Sequence, residues 1–308
     1  MSQAQINTAG FYFQYQGHPI SDISTFHSIT LSQRPNKPII YLAGDSSLDN
    51  KHWISPTFLE PLPVGINIPS IYHSTLSQPR PKPDIAFWLN HFIGSAATAL
   101  NCAVEASTLK DRGKGLLEHD VFIRDHISAT DILIVSIGAN DIALKPTFAT
   151  MCHMLRLAWL TPRFLLNSWT LTHFTDLFRT QVQAYVEKLV AKQKPKAVVV
   201  CMIYYPLERS GQQRSWADLP LKLLGYNLWP RQLQTAIKRM YELGTQRVVV
   251  DGVRVVPCAL YEVLDGKKGG DYEERVEPSV EGGRKMAALL KAVVDEFVSE
   301  ADEVGYRD

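Results

Sequence analysis

Three short clusters carry residue types that could activate or polarise a carbonyl group. Gly44-Asp45-Ser46-Ser47-Leu48-Asp49 follows a short apolar run, Pro38-Ile39-Ile40-Tyr41-Leu42-Ala43. A serine on a tight turn after a buried strand is held with its Oγ exposed and its own N–H turned toward a bound substrate. Gly44 permits such a turn, although an Asp/Ser helix cap would use the same letters. Asn101-Cys102-Ala103-Val104-Glu105-Ala106-Ser107-Thr108 sets small residues after a weaker apolar stretch. Small side chains let backbone N–H groups approach a ligand, but a plain strand exit looks the same. Gly138-Ala139-Asn140-Asp141 follows the strongly apolar Asp131–Ile137. An Asn amide there can donate to an oxyanion while the glycine clears room; a simple turn is the alternative.

These clusters need a frame to bring them together. Alternating apolar runs and helical stretches imply βαβ units and a mainly parallel sheet. The strands are expected at 38–43, a weak one within 97–104, then 131–137, 197–205 and 247–250, with the strand ending at Gly44 in the centre. Asp84–Gly94 reads as a helix with an Asp cap. Phe178, Val182, Tyr185 and Leu189 stripe a helix over 175–190, and Met286, Leu290, Val293 and Phe297 stripe a last one over about 279–298. Residues 1–36 read as an irregular N-terminal arm, and 37–308 as one domain. The proline-rich 56–83 reads as a long surface loop, since proline lacks a donor and fixes φ. Segments 145–172 and 206–230, rich in Leu, Trp and Pro, fit no sheet. They read as lid-like insertions above the strand ends, or as extra core or a dimer surface.

The composition narrows the function. The 308 residues hold 32 Lys and Arg against 31 Asp and Glu, a formal charge of +1. That balance argues against a nucleic-acid partner or an anionic membrane surface. With 45% hydrophobic and 20% charged residues the chain can bury a core. Cys102, Cys152, Cys201 and Cys258 are too scattered for a zinc site or a disulfide framework. No metal-ligand spacing and no dinucleotide fingerprint occur, which argues for no cofactor. The N-terminus lacks a signal-peptide pattern, and Met151–Leu171 contains His153, Arg156, Pro162 and Arg163, so it does not read as a membrane span. A reduced, cytoplasmic protein with a small-molecule substrate is expected; the oligomeric state is open.

Together the three clusters resemble the SGNH hydrolases, the GDSL-type esterases and lipases. Gly44-Asp45-Ser46 matches their first block, with Ser46 at the nucleophile. Ala103 sits where the second block supplies an oxyanion donor from its backbone. Asn140 matches the third donor. The resemblance implies a flavodoxin-like three-layer α/β/α fold with a five-stranded sheet, and an esterase activity. In the last block the chain departs from the family. Asp271-Tyr272-Glu273-Glu274-Arg275-Val276-Glu277-Pro278-Ser279 places Glu274 at the family's Asp position and Glu277 at its His position.

That substitution alters the chemistry. In a Ser-His-Asp site the imidazole takes the serine proton near neutral pH and returns it to the leaving group. A free Glu has a pKa of about 4.3, against about 6.5 for His. It is the weaker base, and at pH 7 it holds no proton to return. Two carboxylates close together raise one pKa. The nine histidines, His18, His27, His52, His73, His91, His119, His126, His153 and His173, each read first as a surface or capping residue. His52 after Ser46, His73 on the proline-rich loop, and His153 and His173 beside the first insertion are the alternatives for a base, so a lid histidine completing the site stays open. Trp53, Trp159, Trp169, Trp216, Tyr204 and Tyr205 are pocket candidates, each also readable as core. The leading expectation is an ester or acyl hydrolase with a Ser46-Glu277-Glu274 site. Acyl transfer, cyclisation or elimination in the same pocket is an alternative, as is a catalytically silent binding or scaffold protein.

Overall fold

Three continuous apolar runs, a short mixed one and one interrupted by proline form a parallel sheet. The structure, a computed structural model, describes residues 4–55, 60–208 and 215–303. In chain order the elements are α1 (Thr8–Phe13), α2 (Ile20–Gln33), β1 (Ile39–Gly44), α3 (Ser70–Thr75), α4 (Ile85–Ile93), β2 (Thr98–Asn101) and α5 (Glu118–His126). Then come β3 (Ile132–Ser136), α6 (Ala139–Ala143), α7 (Phe148–Leu155), α8 (Thr172–Asp176), α9 (Val182–Leu189), β4 (Ala197–Met202), α10 (Asp218–Leu223) and α11 (Pro230–Leu243). The chain closes with β5 (Arg254–Ala259), a hairpin of β6 (Tyr272–Glu273) and β7 (Glu277–Pro278), and α12 (Val280–Glu303).

The sheet order is β2-β1-β3-β4-β5, all parallel. β1, β2, β3 and β4 are buried along their whole length, as strands covered on both faces must be. α4 packs against α12, and α5 against α2 and α9, giving the three layers. The central strand is β3, not β1 as expected. The chain reverses its winding between β1 and β3, and ligands of open α/β sheets bind at such a switch point. Gly44 ends β1 at φ 138°, with the Ser136 carbonyl where a side chain would begin. Only glycine lets the two strands approach there.

Four elements differ from the sequence expectation. The fifth strand is 254–259, not 247–250. Arg247 closes a short 3-10 turn, Val248 and Val250 tuck inward, and a turn at Asp251-Gly252 precedes the strand. Pro257 masks the true run, yet β5 pairs only with β4, and an edge tolerates proline. Segment 4–36 is no irregular arm: α2 buries Ile23, Phe26 and Ile29. Its Ser, Thr and Ile content weakens helix propensity, and burial overrides that. Within the proline-rich stretch, α3 starts immediately after Pro69 and buries Ile71 and Tyr72. The first insertion is largely helical and carries α7; the second carries α10, and its residues 209–214 lie outside the described residues. Asp84 does cap α4, accepting from Phe87 N at 2.8 Å.

Candidate active site

Ser46 lies in the first turn after β1 and is 6% exposed. Asp45 shapes that turn. Its carbonyl accepts from Leu48 N and Asp49 N, each at 3.0 Å, and its Oδ1 accepts from Ser47 N at 3.1 Å. Ser47 Oγ sits 2.7 Å from Asp45 Oδ1 and 2.6 Å from Ser136 Oγ, tying β1 to β3. Among the described residues nothing accepts from the Ser46 N–H, which leaves it for a ligand. Burial pushes the Asp45 carboxyl up to about 6.

The third cluster clamps the second. Asn140 Nδ2 donates to the Ser107 carbonyl at 3.1 Å. An amide nitrogen has two hydrogens, so one remains for the cavity, which Asn140 lines beside Ser46. Asp141 accepts from Leu109 N at 2.9 Å and Lys110 N at 3.2 Å. Arg112, which the sequence reading missed, is buried beneath. It donates to the Gly44 carbonyl at 3.2 Å and to Ser107 Oγ at 3.0 Å, and pairs with Asp120 at 2.9 Å. This buried guanidinium stitches the ends of β1 and β2 together.

The structure does not bring Ala103 to the site. Its N–H donates to Asn101 Oδ1 at 3.0 Å, and the residue is fully buried. Three residues on, Ala106 has φ 58°, the left-handed region that non-glycine residues seldom occupy. No described group accepts from its N–H.

Glu277 sits on β7, opposite Glu273 in the two-stranded hairpin. Asn50 Nδ2 holds the Pro278 carbonyl at 3.1 Å, and Ser279 Oγ accepts from Gly282 N at 3.1 Å to cap α12. Glu277 is 3% exposed, lies close enough to Ser46 to feel its hydroxyl, and has a buried Oε2 without a partner. Burial pushes it up to about 8; the Ser46 contact pulls the other way, while Asp45, Glu274 and Asp49 add to the rise.

Glu274 is not its hydrogen-bonding partner. Glu274 Oε2 accepts from Trp216 N at 3.1 Å, and its carbonyl accepts from Ser215 Oγ. Glu274 and Arg275 have φ 46° and 67°. The Arg275 guanidinium holds this strained turn against the second insertion, donating to Asp218 at 2.7 Å and Asn227 at 2.9 Å. A further carboxyl that feels the charge of Glu277 is Glu105, which the sequence reading passed over within its small-residue cluster. Glu105 is 2% exposed, its Oε1 accepts from Tyr15 Oη at 3.3 Å, and its Oε2 is buried without a partner. Burial, and then the charge of Glu277, pushes Glu105 up to about 9. Like charges in one dry place do not both ionise at neutral pH.

Ser46, Asn140 and Glu277 open on one cavity of about 110 Å³. Its walls are apolar: Phe174, Ile203, Leu221, Ile237 and Met240 among others. Met154 and Leu157 from the first insertion, and Trp216 and Leu224 from the second, roof it. Tyr204 also lines it, held by a 2.6 Å bond to the Val276 carbonyl. Trp53, Trp159, Trp169 and Tyr205 do not line it; Tyr205 stacks on Tyr261 at 5.0 Å. No histidine lines it either. His153 and His173 stack on each other at 4.7 Å, and His52 packs edge-on against Tyr15 at 4.7 Å.

No family model matches the chain, and no curated protein does. Solved structures with a similar chain path include a carbohydrate esterase family 3 protein from Talaromyces cellulolyticus, at 10% identity and a TM-score of 0.43, covering 85% of this chain and 99% of that one. Phospholipase A1 from Streptomyces albidoflavus NA297 overlaps at 10% identity and a TM-score of 0.44, covering 83% and 99%. The M. Smegmatis aryl esterase overlaps at 14% identity and a TM-score of 0.42, covering 84% and 99%. These likenesses are loose.

Proposed function

We propose that this chain is an SGNH-like serine hydrolase that cleaves an ester or acyl bond of a small apolar molecule. The observation that carries it is the convergence of Ser46, Glu277 and Asn140 on one apolar cavity at the switch point of the sheet. Ser46 Oγ attacks the carbonyl carbon as its proton passes to Glu277. The oxyanion accepts from the Ser46 N–H and the second Asn140 Nδ2 hydrogen. Glu277 then returns the proton to the departing alkoxide, leaving an acyl-Ser46. Water attacks that ester with its proton passing to Glu277, and the proton returns to Ser46 as the acid leaves.

The raised Glu277 removes the objection to a carboxylate base. A general base works best with a pKa near the working pH, and a Glu at about 8 lies closer to imidazole than to a free carboxylate. Glu105 and Glu277 share the dry site, so the ionisation of one raises the proton affinity of the other. Glu274 serves the site by fixing the hairpin to the lid. Because the lid roofs an apolar cavity, transfer of the acyl group to a bound acceptor is the second reading.

The test is turnover of short p-nitrophenyl esters from pH 5 to 10, with Ser46→Ala in parallel. Hydrolysis that rises toward alkaline pH and is lost in the variant supports the reading. A Ser46→Ala protein as active as the parent, or a parent inert to every ester, defeats hydrolysis. Acyl release only with an added alcohol acceptor selects transfer.

A further inference from the structure

The two insertions are apolar on both sides. Leu157 and Leu221 face the cavity, while their neighbours Leu155, Leu219 and Leu223 face outward at 43%, 65% and 52% exposure. A helix apolar all round is ordinarily buried. Trp159 Nε1 donates to the Leu223 carbonyl at 2.8 Å, and its ring meets Trp229 edge-on at 5.4 Å, so the two segments form one surface. Leu228, 66% exposed, belongs to two adjoining grooves on it. Most of the exposed large apolar side chains among the described residues lie on these segments. Scattered apolar residues need no explanation, but a contiguous patch marks an interaction site.

The charge around the patch identifies what covers it. Lys222 edges one groove, and Arg163 and Arg231 line the next. Arg156 is exposed beside them. None of the four has an ion pair among the described residues. No Asp or Glu occurs from residue 142 to 175. The one acid in the groove, Asp218, is engaged by Arg275 at 2.7 Å. A second copy would bring like charges together with no acid to meet them. Aromatic and aliphatic groups within a cationic rim match an anionic lipid surface. The formal charge of +1 for the whole chain hides this local excess.

We propose that the outer face of the two insertions docks on an anionic lipid surface, with Leu219, Leu228 and Trp229 in the acyl boundary and Arg163, Lys222 and Arg231 on the headgroups. This reading is independent of the catalytic one. The same segments roof the cavity, so a lipid-dissolved apolar molecule meets the roof first.

The test is co-sedimentation of the full chain with phosphatidylcholine vesicles, with and without phosphatidylserine, at low and high salt. The wild type should pellet with the phosphatidylserine vesicles and be released by salt. Leu219→Ser with Leu228→Ser, and separately Arg163→Glu with Arg231→Glu, should each lower the partition at least about tenfold. All four side chains are exposed, and unchanged melting confirms the fold. Three results overturn the proposal. The first is a wild type that stays in the supernatant throughout. The second is a leucine variant that pellets like the parent, which leaves charge alone. The third is a wild-type dimer, seen by sedimentation velocity and lost in the leucine variant, which assigns the patch to a second copy.

Discussion

As the proposed base, Glu277 sets the pH response expected of the chemistry. With its carboxyl pushed up to about 8, it is mostly protonated at neutral pH and becomes a base only above that. Ester turnover, kcat/KM, should therefore climb with pH and level off above about 8, the reverse of an acid-adapted carboxylate site. Glu277→Gln removes the base and should cost about 100-fold or more in kcat. Glu277→His should keep activity and move the inflection down toward about 6.5, the ordinary imidazole value. A profile that falls from pH 5 upward would contradict the assignment of the base. Asn140→Ala removes one oxyanion donor and should lower kcat about 100- to 1,000-fold, with a smaller change in KM. Equal loss in kcat/KM and substrate affinity, with kcat intact, would make Asn140 a binding residue only.

At the scale of elements, the β6–β7 hairpin and α12 act together. The hairpin carries Glu277, and Ser279 caps the helix behind it. Gly282 in the first turn of α12 lies so close that a Cβ would sit 2.0 Å from the Asp271 carbonyl. In an ordinary helix Gly→Ala stabilises by about 1 kcal/mol. Here the clash is with backbone, so Gly282→Ala should destabilise by about 1–3 kcal/mol. It should also displace Glu277, lowering kcat while Asn140 and Ser46 stay in place. Chemical denaturation and kinetics on one preparation measure both. A stabilised, fully active Gly282→Ala protein would show that the hairpin is not seated as described.

For the molecule as a whole, the buried carboxyls set the pH dependence of stability. Glu277 and Glu105 have folded values raised to about 8 and 9, well above a free carboxyl. Between the free value and the raised one, the folded state binds more protons than the unfolded one, so stability falls as pH rises. The contribution is complete below about pH 4 and is lost as pH climbs through 8 and 9. Glu277→Gln cannot ionise and escapes part of this loss. Its melting temperature should match the wild type near pH 4.5 and exceed it by roughly 5 °C at pH 9. A gap that closes rather than opens with pH would mean that Glu277 is ionised and stabilised in the fold.

Much of this protein is legible locally. Continuous apolar runs announce β1, β3 and β4, because a strand buried on both faces needs no polar side. Asp84 announces α4, because its carboxyl satisfies a free N–H. Ser46 and Asn140 stand out because glycine turns at strand ends have recognisable letters. The tertiary structure alone decided the rest. Edge position, which tolerates Pro257, placed β5 beyond the valine run. Burial turned the Ser- and Thr-rich α2 into a helix. The direction of one N–H took Ala103 away from the site, and the lid's Trp216 drew Glu274 off Glu277. Above all, Glu105 reached Glu277 from the far side of the sequence. Proton affinity follows from dryness and neighbouring charge, and neither is a property of any short stretch of chain.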